Sequence, residues 1–170
     1  MVAKHRKMHL FDVNIPGELV MEESSCVTPG NTLTTFDLPQ CKIGLGVCYD
    51  MRFPEMARLY AKSGCKVLLY PGAFSEIVTG PTQWELLQRS RALDNQVYVA
   101  ASAPARNTNH SYVTWGHSSI VNPLGKVIAT CEEKETIVYG DLDMEYVNKV
   151  RQMFPLLKQL RDDVYEVMAK

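Results

Sequence analysis

The chain contains no CxxC pair, no internal repeat and no low-complexity linker, and its formal net charge is only −1. Each absence removes a class of protein. Its five cysteines (Cys26, Cys41, Cys48, Cys65 and Cys131) are odd in number and scattered, which argues against a disulfide framework and against a zinc knuckle. A reducing compartment is expected, the cytoplasm first and the mitochondrion second. No apolar run approaches the ~20 residues that cross a bilayer, so no membrane association is expected. The opening MVAKHRKMHLFD turns basic at once and lacks the apolar core of a secretory signal. With so little net charge, the short KHRK run is too small a patch to predict nucleic-acid binding. His5 and His9 stand four apart, but an HExxH metal helix needs glutamate at position 6, where this chain has Arg6. His110 and His117 fall in loop-like sequence, so no metal site is predicted.

What is present fits one globular domain over residues 1–170: 46% hydrophobic and 22% charged residues, enough to bury a core. Strand and helix signals alternate, as in α/β proteins. CKIGLGVC places Ile43, Leu45 and Val47 on one face and Gly44 and Gly46 on the other, and glycine within a strand marks close approach by a backbone or ligand. A helix is expected from Pro54, with Met56, Leu59 and Tyr60 as its apolar stripe and Gly64 as its stop. KVLLYP reads as a buried strand. TQWELLQRSRALDN reads as a helix opened by a Thr82–Glu85 capping box, with Trp84, Leu87 and Leu93 inward. QVYVAAS is a further strand, SSIVNPLGKVIAT two strands about a turn at 122–125, and TIVYGDLD another strand. A last helix carries Tyr146, Val147, Val150 and Met153. The charged tail after Phe154 suits docking on another surface.

Cys48 closes the strand and precedes Tyr49-Asp50-Met51-Arg52 and the Pro54 helix. A cysteine at such a corner is exposed at the strand's carboxyl edge, where N–H groups of the turn can stabilise a thiolate and later an oxyanion. Hydrolases present nucleophiles at strand-to-helix corners for this reason. The competing reading is a small buried hydrophobe. A cysteine nucleophile also needs a partner for activation and for protonating the leaving group. Neither His110 nor His117 makes a persuasive pair with it from sequence.

The ordered set KHRKMHLFDVNIPG, CYDMRFPE, YPGAF, TGPTQWELLQRSRALDNQVYVAAS and WGHSSIVNPLGKV resembles the nitrilase, or carbon–nitrogen hydrolase, superfamily over nearly the whole chain, and most of all its omega-amidase branch. The resemblance implies an α-β-β-α sandwich and a Glu-Lys-Cys triad. It implies Cys48 as nucleophile and Lys7, rather than Lys4, as the lysine. Lys7 would share the oxyanion with the Tyr49 backbone N–H, and Glu23, beside Glu22, would orient it. Arg52, Met51, Phe74 and Thr79 would line a pocket for the substrate's far carboxylate, a task suited to a guanidinium that grips a carboxylate bidentately. The alternative for Arg52 is a scaffold pair with Asp50 or Glu55.

The implied reaction is hydrolysis of the terminal amide of dicarboxylate monoamides such as alpha-ketoglutaramate and alpha-ketosuccinamate, through a thioester, without metal or cofactor, in a homodimer. The family's general-base glutamate precedes the lysine. The chain starts only a few residues before Lys7, so the expectation is a domain lacking its first strand-helix units and impaired in activity. Glu23 and Glu55 are the makeshift candidates for the base. The rival readings are an amidase for deaminated glutathione, a carbamoyl-amide hydrolase, or a non-catalytic paralogue that dimerises with an intact subunit.

Overall fold

The computed structural model describes residues 1–169. Its centre is a six-stranded mixed sheet in the spatial order β3-β4-β5-β6-β7-β8, formed by Thr34–Asp37, Lys42–Leu45, Cys65–Pro71, Tyr98–Ser102, Ser119–Val121 and Val127–Thr130. β4, β5 and β6 run parallel, and the outer pairings are antiparallel. The parallel strands are joined through α1 (Pro54–Lys62) and α2 (Glu85–Asn95), as parallel neighbours require. β1 (Asp12–Ile15) and β2 (Leu19–Glu22) form a separate antiparallel hairpin turning at Gly17, whose φ is +78°.

Side chains alternate across the sheet. Leu68, Tyr70, Val99, Ala101 and Val121 join Met56, Ala57, Tyr60 and Ala61 of α1, and Ala92 of α2, in one core. Ile43, Val67 and Tyr98 point the other way, toward Val147 of α3 (Met144–Met153). This is one sheet-and-helix layer of the expected sandwich. Among the described residues no second large sheet packs on it.

Helix α1 starts where Pro54 suits the first turn and ends at Ser63-Gly64, with Gly64 at φ +95°. It seats Tyr60 deep in the core. The Tyr60 hydroxyl donates to the Leu45 carbonyl and accepts from the Thr34 N–H at 3.0 Å, tying β3 and β4 to the helix. Burial pushes this phenol up to about 12. The glycine face of β4 is where rings approach: a Cβ on Gly44 would lie 2.7 Å from Tyr60 Cγ and 2.9 Å from Leu68 Cδ2, and one on Gly46 would collide with the Tyr70 ring.

Three local expectations are corrected. The Thr82–Glu85 capping box does not form, because Gly80–Trp84 is wound as a wider π-type turn and α2 starts only at Glu85. The inward face of α2 carries Gln88, Arg91, Ala92 and Asn95, while Leu93 is half exposed. TIVYGDLD forms no strand, and its Ile137 and Tyr139 are exposed. The tail beyond Phe154 lies along α1 of its own chain, with Lys62 paired to Asp162 at 3.5 Å and donating to the Val167 carbonyl at 3.3 Å.

Gly44→Ala should lower stability by about 1–3 kcal/mol through overpacking against Tyr60. The expected observation is a lower urea midpoint at an unchanged slope.

Candidate active site

The parallel strands β4, β5 and β6 end together, and a cavity of about 690 Å³ opens beyond their carboxyl ends. Ligands of open α/β sheets bind in this position. Val47 and Cys48 from the end of β4, Pro71-Gly72-Ala73 from β5 and Ser102-Ala103-Pro104 from β6 form the floor. Lys7, Phe11, Met21, Glu22, Glu23 and Cys26 close it from the N-terminal segment and hairpin, and Tyr112 stands at the side.

Cys48 opens a five-residue 3₁₀ turn, Cys48–Arg52, and has φ +50°. A non-glycine residue in the left-handed region costs on the order of 1–3 kcal/mol and persists where its surroundings over-determine it. The surroundings here are tight: a Cβ on Gly72 would lie 3.0 Å from Cys48 Cα. The thiol is partly exposed, with Sγ 3.8 Å from the Ala73 carbonyl oxygen to which it donates. It is not enclosed among aliphatic groups.

Lys7 reaches the same cavity and is held there. Its Nζ donates to Glu23 Oε2 at 2.5 Å, and the same oxygen accepts the Phe11 N–H at 2.6 Å. Lys4, by contrast, is exposed and off the wall. The segment around Lys7 is fixed by Asp50, which is fully buried. Asp50 Oδ1 accepts from the Met8 N–H (3.1 Å), the His9 N–H (2.9 Å) and His9 Nδ1 (2.8 Å). Its Oδ2 accepts from His5 Nε2 (3.2 Å) and the Val47 N–H (2.9 Å). His5 and His9, which look like a metal pair in the sequence, are the struts of this carboxylate. Among the described residues no cluster suits a metal ion.

Arg52 pairs with neither Asp50 nor Glu55. Its guanidinium carbon lies 5.6 Å from the Tyr49 ring centroid and 5.0 Å from that of Phe74, cation over ring on both sides. Its Nε is buried without a hydrogen-bond partner, and burial lowers its pKa. The Tyr49 ring is itself held edge-on by Phe11 and Phe53, and Phe74 by Trp84. Arg52 and Phe74 therefore stand behind the cavity wall that carries Cys48, and the expectation that they line the cavity is corrected: neither is on its lining, and Phe74 is buried in the core.

The two remaining pocket assignments are corrected. Met51 is fully buried in the core under α1 and α2, and its carbonyl accepts from Arg91 Nε at 2.8 Å. Thr79 is buried ahead of the π-type turn, where its carbonyl takes the Gln83 N–H. Neither lines the cavity. Glu55 is exposed near the start of α1 and away from it. His117 stacks on Trp115, its carbonyl accepts the Trp84 indole N–H, and neither it nor His110 reaches the Cys48 cavity. Asp50, Cys26 and Tyr112 are site residues that the sequence reading did not find.

The carbon–nitrogen hydrolase profile matches residues 1–152. The chain belongs to the carbon–nitrogen hydrolase family. It is 53% identical over 170 residues to the human omega-amidase NIT2, covering 100% of this chain and 61% of that protein. The chain thus spans about three-fifths of the length of the curated relatives it matches. Saccharomyces cerevisiae Nit3, a member of branch 10 of the nitrilase superfamily, superposes with a TM-score of 0.82 at 49% identity, over 92% of this chain and 54% of the other. The C. elegans NitFhit protein does so with a TM-score of 0.88 at 38% identity, over 96% and 40%. The fold class and family read from the motifs agree with these likenesses.

Asp50→Ala leaves a set of buried donors without their acceptor and should cost about 3–5 kcal/mol. The measurements are thermal unfolding and amide exchange, with protection lost first at the Met8 and His9 N–H groups.

Proposed function

We propose that this chain carries the acylation machinery of an omega-amidase. The Cys48 thiolate attacks the terminal amide carbonyl of a short dicarboxylate monoamide. The C–N bond breaks, ammonia leaves with a proton, and water then hydrolyses the Cys48 thioester to the acid. The proposed substrates are alpha-ketoglutaramate and alpha-ketosuccinamate, yielding alpha-ketoglutarate and oxaloacetate. One observation carries this reading: Cys48 at its strained corner and Lys7, clamped by Glu23, line the same cavity. The names of the 53%-identical relatives support it as well.

The roles follow from the chemistry of each group. A tetrahedral intermediate places negative charge on the former carbonyl oxygen, and the Lys7 ammonium with the Tyr49 N–H at the start of the turn supplies the compensating charge and hydrogen bond. Glu23 holds the ammonium in place. Arg52, held by the Tyr49 and Phe74 rings just behind the wall that carries Cys48 and paired with neither Asp50 nor Glu55, is the guanidinium we assign to the far carboxylate. Ammonia departs only if its nitrogen gains a proton, and Glu23 already serves Lys7 and Phe11 through Oε2. A p-nitrophenolate leaving group needs no such proton, so an activated ester isolates the acylation step from the proton transfer.

The proposal includes a homodimer. Exposed apolar side chains along the tail, Val164, Tyr165 and Met168 among them, support it. Analytical ultracentrifugation of the chain tests it.

The chain is to be treated with the mono-p-nitrophenyl ester of glutarate and followed by intact mass and p-nitrophenolate release. A glutaryl adduct on Cys48 is expected, absent in Cys48→Ala and slowed on the order of 10²-fold in Lys7→Ala. Arg52→Ala should weaken reaction of the glutaryl ester about 10–100-fold and leave the butyryl ester unaffected. Ammonia release from alpha-ketoglutaramate, which needs the additional proton, should trail acylation by on the order of 10²–10⁴-fold. No adduct on Cys48 of the unmodified chain overturns the reading.

A further inference from the structure

Tyr112 lines two cavities at once. One is the cavity that holds Cys48, and the other is a space of about 240 Å³ under the hairpin tip, walled by Gly17, Leu19, Ile77, Val78 and Val113. We propose that the Tyr112 ring is the partition that limits the length of acyl group the Cys48 site accepts, and that the space behind it would take an aliphatic extension. The inference rests on the acylation reading above.

The partition is rigid for stated reasons. The Tyr112 hydroxyl donates to the Ala73 carbonyl at 3.0 Å, the same oxygen that takes the Cys48 thiol proton. The ring is thus anchored beside the nucleophile, close enough for Cys48 and Arg52 both to act on it electrostatically, and burial pushes the phenol up to about 12, so it stays neutral. The loop that carries it is strapped down on either side. The Val113 carbonyl accepts the Glu76 N–H at 3.0 Å, and Thr114 bridges to Ser75. Arg106 pairs with Glu76 at 2.9 Å while donating to the Thr114 and Trp115 carbonyls. With its hydroxyl anchored and its loop strapped, the ring resists displacement by an acyl chain carried on the neighbouring thiol. Glu18, Ser75 and Ser111 also line the space behind, beside the apolar Leu19, Ile77 and Val78, and the Glu18 carboxylate disfavours a second carboxylate there.

The test is a series of p-nitrophenyl alkanoates from butyrate to octanoate, with acylation of Cys48 followed by p-nitrophenolate release and intact mass. The unmodified chain should lose rate as the acyl group lengthens. In Tyr112→Ala the octanoyl-to-butyryl rate ratio should rise at least tenfold, since each methylene newly buried is worth about fourfold. Tyr112→Phe, which keeps the ring and loses the hydroxyl, should keep the length profile of the unmodified chain whatever its overall rate. Tyr112→Val serves if the alanine variant does not fold, and its ratio should rise in the same direction. Variants that fold and acylate with an unchanged ratio overturn the partition. Failure of the unmodified chain to form any Cys48 adduct with the glutaryl ester overturns instead the acylation reading beneath it.

Discussion

The site depends on one buried carboxylate. Asp50 is fully enclosed, and a charge taken from water costs several kcal/mol unless its lone pairs are met by donors. Its donors come from the chain before the hairpin and from the end of β4: His5, the Met8 and His9 amides with the His9 ring, and Val47. Satisfying Asp50 therefore fixes the N-terminal segment against the Cys48 corner. Lys7 lies between the two histidines that grip the carboxylate, so its backbone is held from both flanks. The Gly30 N–H adds a third hold, donating to the Lys7 carbonyl at 2.7 Å. The stability of the fold and the placement of the ammonium are the same set of hydrogen bonds.

The corner at Cys48 was legible because it is local. A strand pattern, a cysteine, a short polar turn and a proline at a helix start follow one another within a dozen residues, and the structure reproduces that order. The glycines of β4 were legible as sites of close approach, though not which groups approach; Tyr60 and Tyr70 lie elsewhere in the chain. What could not be read is what pairs at long range. Asp50 meets residues 41 to 45 positions away, and nothing in one sequence marks such a partnership. The same gap hid what His5 and His9 do: the sequence argued against a metal site but did not show that they bind Asp50. Period errors account for the rest. At α2, Leu93 stands six residues beyond Leu87, roughly 240° round an α-helix, so the inner face runs through Gln88, Arg91, Ala92 and Asn95 instead. At residues 136–143 strand-like composition found no sheet edge to pair with, and β propensity without a partner does not make a strand.

Arg52 illustrates how a site and a core share residues. Within one 3₁₀ turn, Asp50 and Met51 turn inward, one to bind the N-terminal segment and the other to fill the core, while Arg52 lies over the Tyr49 ring. Resemblance alone grouped Met51 with Arg52 as pocket lining. The geometry separates them: Met51 is fully buried under α1 and α2, while Arg52 is only half-buried and lies between the Tyr49 and Phe74 rings. The aromatic pair Tyr49 and Phe74 then holds the guanidinium in place of a carboxylate partner. That choice leaves its Nε without a bond and keeps the cation available.

The same economy explains why Glu23 is a poor candidate for a second duty. The Glu23 oxygen already accepts both an ammonium and a backbone amide, and drawing it into proton transfer would release the very group it positions. Orienting the lysine and moving protons at the leaving nitrogen are thus demands on different carboxylates. Glu22, the other one on the wall, is exposed and lies at the hairpin end. Thioester formation asks for a nucleophilic sulfur, an oxyanion site and a leaving group, and the groups for the first two are positioned by Asp50 and Glu23 independently of how the third is protonated. Attack at Cys48 and protonation of the departing nitrogen are for that reason physically separable steps in this site.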